Sequence, residues 1–204
     1  MEIEMSALEK RKLLTGALSV VAASGLMARS LGAPAQNPRE RMRQKHFPNL
    51  QVVTHEGKEV RFYDNLLKDR KVVINFMYTV CSNICTPVTQ NILEAQRLLG
   101  NLAKEIDFYS ITLTPLQDDP AALRAYMKIN SIGKGWTFLT GKPDNIEQIR
   151  RGLGFAERSP VADADISNHS GMLRIGNERL VSWGHASATT TGKAVARMIR
   201  FELG

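Results

Sequence analysis

The chain is poor in cysteine: Cys81 and Cys85 are the only two in 204 residues. That leaves no third or fourth thiolate for a structural zinc site, which normally takes four protein ligands. No cysteine closes the apolar N-terminal run, which argues against a lipid-anchored form. The run itself, Leu13 to Met27, falls short of the about 20 apolar residues that a spanning helix usually needs. Internal repeats, low-complexity tracts and nucleic-acid-binding motifs are absent as well.

What stands at the N-terminus instead has the order of an export signal. Lys10, Arg11 and Lys12 precede the uncharged run, and the small-residue site Ala33-Pro34-Ala35 follows it. Residues 1–35 are therefore expected to be a signal peptide cleaved before Gln36. The competing expectation is an uncleaved N-terminal anchor, which would give membrane association through the N-terminus. The Lys10-Arg11 pair is only a faint likeness to a twin-arginine signal. Export implies the periplasm or the outer face of the inner membrane, and it removes nucleic acid from the expected partners. Residues 1–35 hold four cations against three acids, so about six of the seven net positive charges belong to the remainder. The basic, proline- and glutamine-containing stretch 36–46 reads as a solvated linker, with the domain beginning at Phe47 and running to residue 204.

With 43% hydrophobic and 23% charged residues, that domain can build a core of useful size. Short strands are predicted at Leu50 to Thr54 and Glu59 to Phe62, around a turn at His55 to Lys58. The runs Lys71 to Met77 and Ile106 to Leu113 read as strands buried on both faces. Thr86 and Pro87 suit the cap and first position of a helix reaching about Leu102. Asp119-Pro120 opens another helix, Thr137 to Thr140 is a short strand, and Asp144 caps a helix to Leu153. Phe155 to Asn168 lacks periodicity and reads as a loop. Two strands around Gly176-Asn177 and a helix from Thr191 to Leu203 end the chain. Strands alternating with helices predict an α/β fold, and a dithiol at a strand-to-helix junction is the thioredoxin layout: a three-layer sandwich around a central mixed sheet.

The chemistry is concentrated at that junction. Cysteines four positions apart can meet as neighbours on one helical face. A helix N-terminus favours the thiolate, which is both a nucleophile and a soft metal ligand. The three-residue spacer Ser82-Asn83-Ile84 is one longer than in thioredoxin-type oxidoreductases, so a disulfide and an open pair of ligands are both compatible with it. Of the four histidines, His46, His55 and His185 are expected at the surface. His169 ends the long loop before the late hairpin, which in this layout passes near the dithiol, and it is the candidate third ligand. Two thiolates and an imidazole form a soft donor set suited to Cu(I) and able to hold Cu(II). A peroxidase reading is weaker, since Thr79 puts a hydroxyl near Cys81 but no activating arginine is evident. Met172 reads as a strand methionine, Asp118 and Asp119 as a helix start, and Trp136 and Trp183 as packing.

Four segments together carry a family resemblance: FMYTVCSNIC, LTPLQDDPAALRAYM, WTFLTG and NHSGMLRIGN. From about Phe47 to the last helix the chain resembles the Sco/SenC copper proteins, which help to assemble cytochrome oxidase. The resemblance implies Cys81, Cys85 and His169 as copper ligands. It also implies a copper metallochaperone whose partner is the copper-bearing subunit of an oxidase or another copper-accepting protein. A thiol–disulfide oxidoreductase, using Cys81 and Cys85 to reduce a partner's cysteines before metal loading, is the alternative. Thr86 replaces the family's proline after the second cysteine, Asn168 its aspartate before the histidine, and Arg174-Ile175-Gly176-Asn177 stands where an aspartate–proline pair is usual. These departures leave the ligand set intact and bear on partner choice.

Overall fold

A computed structural model describes residues 37–80, 85–165 and 171–204. The first element, α1 (Pro38–His46), is the stretch expected to be a linker. Asn37 caps it by accepting from the Glu40 N–H at 2.7 Å, and Pro38 takes the first helical position. The helix buries none of its own residues. It is held from outside, by Arg39 on the buried Glu178 and by Phe47, which continues into the core.

The strands are β1 (Gln51–Thr54), β2 (Glu59–Arg61), β3 (Lys71–Met77), β4 (Ile106–Thr112), β5 (Trp136–Thr140), β6 (Met172–Asn177) and β7 (Ser182–Ser187). They form one sheet in the order β2-β1-β5-β4-β3-β6-β7. β3, β4 and β5 run parallel, while β1, β6 and β7 are antiparallel to their neighbours, so the sheet is mixed. Alternation in β3 assigns its two faces. Val73 and Met77 belong to one buried cluster, and Val72, Ile74 and Phe76 to the other. The first is covered by α2 (Cys85–Leu99), α3 (Pro120–Ile129) and α6 (Gly192–Leu203). The second is covered by α4 (Pro143–Gly152), the π-helical turn Phe62–Leu67 and Phe47. The result is the expected three-layer, thioredoxin-like α/β sandwich.

Val88, Ile92, Ala95 and Leu99 recur at helical spacing along α2 and face Val195, Ala196, Ile199 and Leu203 of α6. Each large aliphatic side chain buried in this way contributes roughly 1.5–3 kcal/mol. Close packing is also visible where Trp183 lies across Gly176, since a Cβ there would come within 2.1 Å of the indole.

Several local expectations change. α2 starts at Cys85, one residue before the expected Thr86 cap. Lys142 precedes α4, with Pro143 at its first position, so Asp144 sits in the first turn instead of capping it. The expected loop from Phe155 contains the short helix α5 (Pro160–Ala164), capped by Ser159. The late hairpin turns at Glu178–Leu180, after Asn177, with Val181 at φ 56° completing the connection. Among the described residues no helix is long and apolar enough to cross a membrane; the N-terminal run lies outside them.

Candidate metal centre

Of the three residues singled out, Cys85 is described; Cys81 and His169 lie outside the described residues. Cys85 is the first residue of α2 and only 2% exposed, in the buried cluster that includes Val73, Met77 and Val88. Its sulfur therefore combines two environments: an apolar core and a helix N-terminus, where unpaired backbone N–H groups favour negative charge. Val80, directly before Cys81, is 73% exposed. Of the two described residues that flank 81–84, one is therefore exposed and the other buried.

Strand register brings Gly171, which precedes β6, to the end of the sheet where β3 finishes. β3 ends at Met77, four residues before Cys81. β6 is antiparallel to β3, with Leu173 opposite Asn75, so β6 enters the sheet where β3 leaves it. Gly171, at φ 59°, precedes that entry by one residue and follows His169 by two. The described flanks of 81–84 and of 166–170 therefore meet at one end of the sheet.

The loop leading there is fastened from below. Arg150 of α4 donates to Asp163 through both Nη atoms at 2.8 Å and to the Phe155 carbonyl at 2.9 Å. Asp163 also accepts from the Glu157 N–H at 2.8 Å. The Arg150 hydrogen bond, with the Glu157 N–H, holds the Asp163 carboxyl far below the usual range. A cavity of about 540 Å³ opens beside this loop, floored by Phe76, Leu113 and Phe155.

Asp118 was not visible as a site residue from sequence. Asp119 alone makes the helix start, accepting from the Ala122 N–H at 2.7 Å. Asp118 is fully buried between the ends of β3 and β4. Its Oδ1 accepts from Thr79 Oγ1 at 2.5 Å. Its Oδ2 accepts from Thr112 Oγ1 at 2.5 Å, Thr114 Oγ1 at 3.0 Å and the Thr79 N–H at 3.2 Å. The Thr79 hydroxyl is thus committed to Asp118, which weakens the peroxidase reading further. Burial of this one polar residue among hydroxyl-bearing neighbours was the missing signal, and no local pattern carries it.

The other histidines differ from expectation in part. His46 and His55 are half-buried rather than exposed, and His55 Nδ1 accepts from the Phe138 N–H at 3.2 Å. His185 is exposed but lies within β7, where it meets Arg174 at 2.7 Å. Burial, followed by the Arg174 charge, pushes the His185 pKa down. Met172 is half-buried at the start of β6. Trp136 is buried and donates to Ser110 Oγ at 2.9 Å, and Trp183 packs on Phe47.

The fold defines a thioredoxin-like protein in which Cys85 opens α2. Residues 38–201 match the SCO1/SenC family, and the chain belongs to that family. Among solved structures it is similar to ScoI of Bradyrhizobium japonicum with copper bound, at 24% identity and a TM-score of 0.60, covering 75% of this chain and 96% of that one. ScoI of Arabidopsis thaliana with copper bound shares 16% identity at a TM-score of 0.61, covering 76% and 95%. A SCO1/SenC family lipoprotein from Bacillus anthracis shares 20% at 0.60, covering 76% and 93%. No curated protein sequence matches the chain.

Proposed function

We propose that this protein binds copper through Cys81, Cys85 and His169 and hands the ion to the copper-bearing subunit of cytochrome oxidase or to another copper-accepting protein. The observation that carries the reading is the convergence of the 81–84 and 166–170 flanks at the sheet end where Cys85 begins α2. Family membership and the copper-bound relatives support it. Two thiolates and one imidazole match the preferences of Cu(I) and tolerate Cu(II). The cysteines bind as thiolates and the histidine as neutral imidazole, so loading releases protons and affinity falls as the site is acidified. Release to an acceptor requires only ligand exchange, without a redox step. Residues 1–35 export the domain, as a cleaved signal or as an anchor, to the periplasm or the outer face of the inner membrane.

The burial of Cys85 beside the exposed Val80 gives the second reading a specific basis. A Cys81 thiolate would attack a partner disulfide, releasing one partner thiolate and forming a mixed disulfide. Cys85 would then attack the Cys81 sulfur and release the second. The partner's disulfide becomes a dithiol while this chain's dithiol becomes a disulfide.

Titration of the reduced 36–204 domain with Cu(I) against a competing chelator, beside His169→Ala, separates the readings. Tight one-to-one binding that drops at least tenfold in the variant supports the three-ligand site. Equal binding by both proteins removes His169 from it. Reductase activity that survives His169→Ala while copper binding fails favours the oxidoreductase.

A further inference from the structure

We propose that Asp118 is a positioning residue for the dithiol, acting through Thr79; the inference rests on the reading of Cys81 and Cys85 as the functional pair. One residue, Val80, separates Thr79 from Cys81, and β3 has already ended at Met77. Sheet pairing therefore no longer fixes the chain at Thr79. Asp118 takes over that task. It accepts from both the backbone N–H and the hydroxyl of Thr79, gripping the residue at two points, at 3.2 and 2.5 Å. The same carboxyl group accepts from Thr112 and Thr114 at the end of β4. It is thereby tied to the sheet from the far side. The Leu113 N–H, donating to the Met77 carbonyl at 2.8 Å, closes the bridge between the two strand ends.

Chemistry explains the choice of an acid. Both Asp118 oxygens have only acceptor capacity to offer when ionised; three donors meet Oδ2, and the Thr79 hydroxyl meets Oδ1. A buried carboxyl group met by hydroxyl and amide donors is costly to move, because withdrawing the Thr79 hydroxyl in the apolar interior takes away the donor that meets Oδ1. Thr79 is therefore held in one place, with its side chain turned inward to the carboxyl while Val80 next to it projects into solvent. A thiolate two residues along inherits that fixed point of departure. Geometry of this kind matters more to a multidentate metal site, or to a dithiol that must close a small ring, than to the fold.

Thr79 and Thr112 bond the same carboxyl group at the same 2.5 Å, but only Thr79 leads to Cys81. The test compares Thr79→Val, Thr79→Ser and Thr112→Val in the 36–204 domain. It reads Cu(I) affinity by chelator competition, the dithiol–disulfide midpoint potential and the urea unfolding midpoint. The expected result is about tenfold weaker Cu(I) binding in Thr79→Val, recovery to within about twofold in Thr79→Ser, and unchanged affinity in Thr112→Val despite comparable loss of stability. The potential should shift in Thr79→Val alone, by about 30 mV for a tenfold change in the two-electron equilibrium. Equal effects of Thr79→Val and Thr112→Val on affinity and potential would overturn the inference and leave Asp118 a purely structural group. If the unaltered domain binds no Cu(I), the copper reading fails. The inference is then decided by the potential alone: a shift confined to Thr79→Val sustains it, and none overturns it.

Discussion

Two buried acids sit at opposite ends of the sheet and solve the same problem differently. Glu178, 2% exposed at the connection between β6 and β7, is met by a cation. Arg39 of α1 reaches it through Nε at 2.7 Å and through Nη2, while the Tyr63 hydroxyl at 2.6 Å and the Asp69 N–H at 2.7 Å complete the cage. Asp118, at the end where β3 finishes, is met by three hydroxyls and one N–H, and among the described residues no cationic side chain pairs with it. One end is clamped by charge. The other is set by neutral donors, which fix direction without placing a full positive charge beside the proposed site.

Breaking the charged clamp should have the largest effect. Glu178→Ala leaves Arg39 and Tyr63 without their shared acceptor and loosens α1. That helix buries no residue of its own and keeps Phe47 and the Arg39–Asp69 and Arg43–Tyr63 contacts as anchors. A loss of about 3 kcal/mol in denaturant unfolding is expected, in the range for removing one member of a buried pair. Cu(I) affinity should stay within about twofold of the unaltered domain, because the clamp lies at the opposite sheet end. A tenfold loss of copper affinity in this variant would contradict the division of labour between the two ends.

Acid sharpens the same comparison. Burial works against the charged form of Glu178, but Arg39, Tyr63 and the Asp69 N–H outweigh it and hold the folded-state pKa below the ordinary 4.5. A depressed acid contributes stability that is fully present above its unfolded value and is lost as pH falls below it. Between about pH 4.5 and the lower folded value, the unaltered domain should therefore lose stability faster than Glu178→Gln, which has no carboxyl to protonate there. Parallel stability curves for the two proteins below pH 4.5 would show that the clamp's charge contributes nothing.

Both acids also mark where sequence reading stops. The bounds of β3 were legible to the residue, because an unbroken β-branched run can be buried only on both sheet faces. Cys85 was legible at a helix start, because the change from strand to helical spacing falls beside it. Asp118 was hidden by its neighbour: Asp-Asp-Pro is fully explained by one helix cap, and Asp119 supplies it. Glu178 was hidden by register, since Gly176-Asn177 has turn composition while pairing with β3 carries the strand through both. α1 was hidden because its cap signals, Asn37 and Pro38, are followed by no apolar stripe. Its polar composition suits a linker, and the helix depends on Arg39 finding an acid 139 residues away. In each case the deciding partner is distant in the chain, beyond the reach of periodicity or capping rules.

The smaller effects lie within the neutral knot. Thr112→Val removes a buried donor at 2.5 Å and should cost about 1.5 kcal/mol, in the range for a hydrogen bond to a charged group. It also removes the oxygen that accepts from the Thr114 N–H at 2.9 Å, so the turn following β4 loses a second restraint. Thr114→Val should cost least, about 0.5 kcal/mol. Its own hydroxyl bond is longer, at 3.0 Å, the residue is only half-buried, and water can take the vacated place. The ordering Thr112 over Thr114 in urea unfolding is the readout. It follows from burial, since both side chains donate to the same Asp118 oxygen. A Thr114→Val cost equal to that of Thr112→Val would mean that the knot acts as one cooperative unit, in which the loss of any donor releases the carboxyl group. Asp118 would then hold Thr79 only while all its partners are in place.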